Sequence, residues 1–141
     1  MNTLPPRTSY PKRRPARTGP DAATVELVWK RDEGRCVSCG SPLVFSNRGK
    51  AFGWSIQHRQ PRSRGGSNQP ANLILLCGSG TTKCHGQVEA HPEWARAHGW
   101  SCGSGMRPAE TPMTHVRLGV VLLTAQGYEP AELSRLEEAP E

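Results

Sequence analysis

The 141-residue sequence lacks any long run of apolar residues, and this absence excludes a membrane-spanning helix. No stretch approaches the roughly 18 consecutive apolar residues that such a helix needs. The N-terminus also has no apolar segment of the signal-peptide kind, so we expect a cytoplasmic protein without a membrane partner. Hydrophobic residues make up only 35% of the chain, beside 15 glycines and 13 prolines, which excludes a large core. We therefore expect one small domain with loose ends.

Acidic residues are missing from two long segments, although the chain has 12 of them against 18 basic residues. Residues 1–20 contain five basic side chains among prolines that prevent helix formation, which predicts a disordered basic arm. Residues 34–88 contain no acid either, whereas residues 129–141 contain five glutamates and predict an acidic tail. The net charge of +6 favours a polyanionic partner. A solvated tail and a merely soluble basic protein fit the same charge.

Five cysteines in an expected cytoplasmic protein indicate metal ligands or free thiols rather than disulfides. Two of them form a Cys-x-x-Cys pair followed by a glycine, a spacing that supplies one edge of a tetrahedral zinc site. Two others are separated by six residues, which is a weaker signal, and four free thiols in a small core remain the alternative. We predict one structural Zn²⁺ bound by Cys36, Cys39, Cys77 and Cys84, with Cys102 as an unligated thiol.

Local patterns predict short helices and strands around these cysteines. Asp21 is a good N-cap for a helix over 22–32, and the prolines and glycines between His58 and Asn72 predict a loop. The four tryptophans are expected in the core. The other predicted elements are a strand pair at 43–45 and 52–56, a buried strand at 72–76, helices at 83–90 and 92–98, and a strand or hairpin at 117–123.

Three segments together resemble the HNH nucleases, over about residues 25–100. They are Ile56-Gln-His58-Arg, then Arg64-Gly-Gly-Ser-Asn-Gln-Pro-Ala-Asn72-Leu, and Leu76-Cys-(six residues)-Cys-His85. The second cysteine pair encloses Gly-Ser-Gly-Thr-Thr, which is similar to small HNH proteins of bacteriophages. The resemblance implies an α+β fold in which a ββα-metal (His-Me finger) core is linked to a zinc-ribbon-like site of four cysteines between disordered termini. The implied domains are a basic arm at 1–20, a nuclease domain at 21–104, an extension at 105–128 and an acidic tail at 129–141.

The resemblance also implies a role for each motif residue. His58 would be the general base that activates water, because its pKa range suits proton abstraction near neutrality. Asn72 would fix the loop and orient His58 through its amide. His85 would coordinate a catalytic divalent ion, Mg²⁺ or Mn²⁺, although Ni²⁺ or Zn²⁺ also suit imidazole. Arg59, Arg62 and Arg64 would bind DNA phosphates on either side of the cut.

Gln57 departs from the family pattern, which has Asp before the base, or His in many phage relatives. An amide oxygen is a weaker, neutral metal ligand, so we expect low affinity for the catalytic metal or loss of activity unless Glu89 or His91 compensates. The resemblance implies metal-dependent hydrolysis of DNA, with the large subunit of a phage terminase as a partner in the host cytoplasm. The alternative is a non-catalytic zinc-ribbon protein that binds DNA or assists packaging. Cleavage specificity and oligomeric state do not follow from the sequence.

Overall fold

The computed structural model describes residues 19–131. The predicted basic arm, apart from Gly19 and Pro20, and the predicted acidic tail after Ala131 lie outside the described residues. Within 19–131 the fold is a small α+β arrangement with two small sheets. No helix in this part of the chain is both long and apolar enough to cross a bilayer.

The first helix, α1, runs from Ala22 to Arg31 and confirms the predicted element to within one residue. It begins at Asp21, whose carboxylate accepts a hydrogen bond from the backbone N–H of Thr24 at 2.8 Å. It ends before Glu33 and Gly34, which both have positive φ angles. Because the cap and the glycine act locally, the sequence alone indicates where this helix starts and stops.

Two antiparallel strands form the first sheet. β1, Trp54–His58, pairs with β2, Leu73–Cys77, so that Trp54 lies opposite Cys77 and His58 opposite Leu73. All five residues of β2 are buried, which confirms the predicted buried strand. A strand covered on both faces needs apolar residues at every position, and this explains the unbroken apolar run in the sequence.

The two faces of β2 bury into different hydrophobic clusters. Leu73 and Leu75 face α1, where they pack with Val25, Val28 and Trp54. The opposite face belongs to a larger cluster that contains Cys36, Val37, Ile74, Leu76, Cys77, Val88, Ala95, Trp100, Met113, Val121 and Leu123. The central strand therefore joins α1 on one side to the helices and cysteines on the other.

Two short helices follow β2, as predicted. α2 runs from Lys83 to Ala90 and α3 from Pro92 to Ala97. Gly99 ends α3 with a φ of +71°, at a place where a Cβ atom would lie 2.0 Å from the carbonyl oxygen of Pro112. The order β1, β2, α2 is the ββα arrangement that the sequence predicts.

A second sheet closes the domain. β3, Met113–His115, pairs with β4, Gly119–Leu123, which pairs with β5, Tyr128–Pro130, and both pairings are antiparallel. The sheet contributes Met113, Val121 and Leu123 to the same cluster as Cys36 and Cys77. The predicted extension thus shares the core of the nuclease-like region, and β5 continues across the predicted boundary at residue 128.

A buried polar network connects α1 to both sheets. Arg31 Nε donates to Asp32 Oδ1 at 2.8 Å, and both side chains are fully buried. The other carboxylate oxygen of Asp32 accepts from the backbone N–H of Leu75 at 3.0 Å, and the Tyr128 hydroxyl donates to Asp32 as well. Burial raises the pKa of Tyr128 well above its usual value. The hydroxyl therefore stays protonated and continues to donate.

Two predictions about local structure are wrong. Segment 43–45 is not a strand, because Phe45–Asn47 forms a single 3-10 turn and β1 pairs with β2 instead. The indole N–H of Trp54 donates to the carbonyl of Val44 at 2.9 Å, which holds this segment against the start of β1. Trp54 and Trp100 are core residues as expected, whereas Trp94 is 41% exposed.

Candidate functional site

The four predicted zinc ligands converge in the structure. One sulfur atom from each of Cys36, Cys39, Cys77 and Cys84 lies within 4.8 Å of all the others. The Sγ atoms of Cys39 and Cys77 are 3.8 Å apart. Zinc–sulfur bonds of about 2.3 Å place two sulfurs of a tetrahedron roughly 3.8 Å apart, so the cluster could hold a zinc ion.

Two glycines allow the chain to form this cluster. Gly40, with a φ of +77°, closes the Cys36–Cys39 turn by donating its N–H to the carbonyl of Cys36 at 2.8 Å. Gly78, with a φ of +85°, follows Cys77 where a Cβ atom would lie 2.2 Å from the carbonyl oxygen of Thr82. This close turn returns the chain to Cys84 after six residues, so the wide spacing of the second pair is compatible with one site.

The electrostatics of the cluster favour a bound cation. A hydrogen bond from Cys84 lowers the pKa of Cys36 to about 5, so Cys36 is a thiolate at neutral pH. That same hydrogen bond raises the pKa of Cys84, which holds the shared proton. Burial raises the pKa of Cys77. A divalent ion would stabilise all four thiolates together. Cys102 is buried outside this cluster.

His85 is held in the tautomer whose Nε2 is able to accept a metal ion. The Ser55 hydroxyl donates to the carbonyl of Gly78 at 3.0 Å, so its oxygen is left to accept from His85 Nδ1, 2.5 Å away. The lone pair therefore resides on Nε2, which lies 3.6 Å from a carboxylate oxygen of Glu89. Burial lowers the pKa of His85, and this effect outweighs the nearby Glu89 carboxylate, which raises the pKa. The lowered pKa keeps the imidazole neutral near pH 7.

His58 is oriented by a different amide from the predicted one. Its Nε2 lies 2.8 Å from the side-chain oxygen of Asn68, an atom that only accepts hydrogen bonds. Nε2 therefore bears the hydrogen, and Nδ1 retains the lone pair that a general base needs. Asn68 is thus a positioning residue.

One open groove of about 320 Å³ brings the two histidines together. In the β1–β2 register, Ser55 and Gln57 lie opposite Leu76 and Ile74, on the sheet face that α2 covers. Gln57 is buried, with 7% exposure, and its position two residues after Ser55 directs it to the same side as His85. The groove is lined by Ile56, Gln57, His58, Pro61, Arg62, His85 and Glu89. This donor set of imidazole, carboxylate and amide oxygen fits a divalent ion.

Asn72 fixes the loop after β1, and its hydrogen bonds go to that loop rather than to the His58 ring. Its side-chain oxygen accepts from the backbone N–H of Gln60 at 2.7 Å, and its NH₂ group donates to the carbonyls of Gln60 and Ser67. The loop-fixing role agrees with this geometry. The predicted orientation of His58 through the Asn72 amide is wrong, because Asn68 makes that contact.

Arg59 is not a DNA ligand in this structure. Its side chain is completely buried, and the guanidinium donates to four backbone carbonyls. Because these partners are backbone carbonyls, the role of Arg59 is to join the β1 end to the segment after α3. The acceptors are Gly99 at 2.7 Å, Ala71 at 3.0 Å, Pro108 at 2.8 Å and Thr111 at 2.7 Å. In contrast to Arg59, both Arg62 and Arg64 are exposed to solvent, and Arg62 borders the groove.

We expect Arg59 and Arg62 to differ sharply when each is replaced by alanine. Arg59→Ala should cost about 3–5 kcal/mol of unfolding free energy, because it removes a fully buried guanidinium and leaves four backbone carbonyls without their donor. Arg62→Ala should leave stability unchanged and reduce the salt slope of DNA binding by about 0.9. Urea denaturation and binding at several salt concentrations measure both effects. If Arg59→Ala were as stable as wild type and reduced the salt slope of DNA binding, the predicted contact of Arg59 with DNA phosphates would be supported instead.

Sequence reasoning missed Ser55 and Asn68 and undervalued Glu89. Ser55 was detectable, since it precedes Gln57 by two residues on a predicted strand and must share its face. Glu89 lies four residues after His85, one helical turn along α2. His91 lies at the junction of α2 and α3 and borders a different groove. No sequence signal distinguished Asn68 from the other polar loop residues.

The comparison with protein families agrees with this geometry. Residues 36–90 match the family model described as HNH endonuclease. That range begins at Cys36 and ends with α2, so it contains both histidines and all four cysteines of the cluster. No curated protein and no solved structure is significantly similar to the chain. Residues 36–90 are therefore similar to the HNH endonuclease family.

Proposed function

We propose that the protein is a metal-dependent endonuclease that hydrolyses DNA phosphodiester bonds. The observation that supports this most directly is the groove in which His58 Nδ1 and His85 Nε2 are both left with free lone pairs. One nitrogen suits proton abstraction and the other suits metal coordination. A site with these two functions on adjacent elements is what hydrolysis of a phosphodiester requires.

In the proposed reaction His58 acts as the general base. Its Nδ1 takes a proton from water while the water oxygen attacks phosphorus, and the bond from phosphorus to the 3′ oxygen breaks. The leaving 3′ oxygen takes a proton from solvent water, so the products are a 5′ phosphate and a 3′ hydroxyl. Asn68 holds the imidazole in the required tautomer, and Asn72 holds the loop that contains Asn68.

His85 would bind the catalytic Mg²⁺ or Mn²⁺, with Glu89 and Gln57 as the neighbouring oxygen donors. A bound divalent ion supplies positive charge that stabilises the transition-state phosphorus and the leaving oxygen. The proposed structural Zn²⁺ at Cys36, Cys39, Cys77 and Cys84 keeps β2 and α2 in register with β1. His85 directly follows Cys84, so that zinc would set the position of the catalytic ligand.

A plasmid assay tests this function. Supercoiled plasmid incubated with the zinc-loaded protein should be nicked or linearised when Mg²⁺ or Mn²⁺ is added. Cleavage should stop when the ion is omitted and return when it is restored. The absence of cleavage with every divalent ion, despite DNA binding, would favour the alternative of a non-catalytic zinc-ribbon DNA-binding or packaging accessory protein. Gln57, a neutral residue at a ligand position, is the feature that favours that alternative.

Gln57→Asp tests whether this position limits catalysis. A carboxylate beside His85 and Glu89 should tighten Mn²⁺ binding by roughly tenfold or more, the scale on which single partners change metal affinity. The half-saturating Mn²⁺ concentration for plasmid nicking should fall accordingly. Since Gln57 is 7% exposed, the unpaired aspartate should lower the melting temperature, and Mn²⁺ should restore it. Gln126→Asp, which adds the same charge at an exposed site, should change neither quantity.

We further propose that the nuclease is phage-encoded and acts with the terminase large subunit during genome packaging in the host cytoplasm. The resemblance of the Cys77–Cys84 segment to phage HNH proteins supports this context. Co-purification with a terminase large subunit, together with faster cleavage in its presence, is the expected result.

A further inference from the structure

Residues 44–53, which lie between the Cys36–Cys39 turn and β1, form a closed loop that we call the aromatic loop. Gly53 donates to the carbonyl of Lys50 at 3.0 Å, and Gly49 donates to the carbonyl of Trp54 at 2.8 Å. A Cβ atom on Gly53 would lie 1.8 Å from the carbonyl oxygen of Asn47, so only glycine fits there. The loop is therefore tightly packed on itself.

The aromatic loop is also attached to the turn before α2. Gly78 donates to the carbonyl of Gly53 at 2.7 Å, and the Thr82 hydroxyl donates to the carbonyl of Ala51. These contacts connect the tip of the loop to the helix that contains His85. The residues at the tip are consequently held in a defined position relative to the catalytic groove.

Phe52, at this tip, is 81% exposed, the highest exposure among the large hydrophobic side chains of residues 19–131. Phe45 and Val44 are also exposed, but Phe45 packs edge-on against Trp29 with ring centroids 5.1 Å apart. The ammonium of Lys83 lies near the Phe52 ring, 6.0 Å from the centroid. An exposed aromatic ring beside a cation presents a flat face on which a nucleic-acid base could stack.

The surroundings of Phe52 are positively charged. The basic residues near Phe52 are Arg48, Lys50 and Lys83. The sequence has no acidic residue from 34 to 88. The Arg48 guanidinium lies 5.8 Å from the Trp54 ring centroid, which holds it beside the loop. A basic surface of this kind attracts a polyanion.

The aromatic loop lies close enough to the groove for one DNA molecule to contact both. His58 follows Phe52 by six positions, which is at most about 20 Å of extended chain. At 3.4 Å per base pair that distance corresponds to roughly six base pairs. Lys83, whose ammonium lies 6.0 Å from the Phe52 ring centroid, precedes His85 by two residues in α2.

We propose, resting on the proposed nuclease function, that the aromatic loop is a second DNA-binding element. Phe52 inserts between stacked bases at a distance from the cut, and Arg48, Lys50 and Lys83 bind the neighbouring phosphates. Apolar side chains that enter a duplex in this way unstack a base step and bend the DNA. The attachment of the loop to the turn before α2, the helix that contains His85, favours DNA over an anionic membrane, to which basic and aromatic residues also bind.

The test measures binding of the full-length, zinc-loaded protein to a duplex of about 20 base pairs without added Mg²⁺ or Mn²⁺. Fluorescence anisotropy should show binding weakened on the order of tenfold by Phe52→Ala, the scale of one lost stacking contact. With 2-aminopurine in the duplex, the wild type should raise its fluorescence through unstacking, and Phe52→Ala should not. Lys50→Ala should reduce the salt slope by about 0.9. Leu118→Ala, at a residue 56% exposed on the second sheet, is the matched control and should bind like wild type.

Equal affinity of wild type and Phe52→Ala for the duplex, or no binding by either, would overturn the proposal. So would Phe52-dependent binding to vesicles containing anionic lipid with unchanged DNA affinity, which would assign the loop to a membrane. The plasmid assay separates this result from the nuclease proposal. If the protein nicks plasmid but Phe52→Ala does not change its DNA affinity, the nuclease proposal stands and the aromatic-loop proposal fails. If DNA binding depends on Phe52 but no cleavage occurs, only the nuclease proposal is contradicted.

Discussion

His58→Ala should reduce plasmid nicking in Mn²⁺ by about 10²–10⁴-fold, the usual contribution of a positioned general base. The reason is that Nδ1 of His58 retains the lone pair of this imidazole, since Nε2 donates to Asn68. Alanine leaves the attacking water without a proton acceptor. The initial rate of conversion of supercoiled plasmid to nicked circles is the quantity to measure.

The affinity of His58→Ala for duplex DNA should stay close to the wild-type value. Most of the DNA-binding energy is expected from other side chains that contact phosphates, not from the general base His58. His91→Ala is the matched control, since His91 is an exposed histidine at the junction of α2 and α3 and does not line the groove. It should cleave at the wild-type rate. Undiminished cleavage by His58→Ala would remove His58 from the mechanism, and equal losses in both histidine variants would indicate a nonspecific effect.

Removal of the proposed zinc ion should unfold the domain. The described residues bury a core of modest size, and Cys36 and Cys77 belong to its larger cluster, so the cysteine cluster and the core cannot separate. Structural zinc sites contribute about 10–16 kcal/mol of apparent binding free energy, as much as or more than the whole stability of a typical domain. A chelator should therefore abolish the far-ultraviolet dichroism of the helices and red-shift the fluorescence of buried Trp54 and Trp100.

Two cysteine variants sharpen this prediction. Cys77→Ser should reduce the zinc content from one ion per chain and unfold the protein, since serine is a poor zinc ligand. Cys102→Ser is the control, because Cys102 is as buried as Cys36 but lies outside the cluster of four sulfurs. It should retain one zinc ion and the folded spectrum. A folded Cys77→Ser protein with full zinc content would disprove the four-cysteine site.

Much of the fold could be predicted because its signals are local. The Asp21 cap and Gly34 delimit α1, and the unbroken apolar run marks β2 as a strand buried on both faces. The prediction of a strand at 43–45 is wrong because an apolar segment does not reveal its pairing partner, and the backbone of β1 pairs with β2 instead. Propensity is a weak guide wherever tertiary pairing decides the outcome.

The arginines around His58 show the same limit in the candidate site. Arg59 and Arg62 are three residues apart in a basic loop, and their sequence context is alike. Arg59 is completely buried and donates to backbone carbonyls up to 52 residues away in sequence, whereas Arg62 lies at the edge of the groove. Nothing local distinguishes them, because most of the acceptors that bury Arg59 come from the segment after α3.

The sequence by itself determined the identities and order of the chemical groups: four cysteines, His58, Asn72 and His85 in the pattern of an HNH endonuclease domain. Only the tertiary structure decided which atoms of those groups are available. Ser55 and Asn68 leave opposite nitrogens free on the two histidines, and the chain beyond α3 takes Arg59 out of contact with solvent. The physical reason is that a motif specifies residues along the chain, whereas hydrogen-bond partners and burial depend on segments that meet only in the folded state.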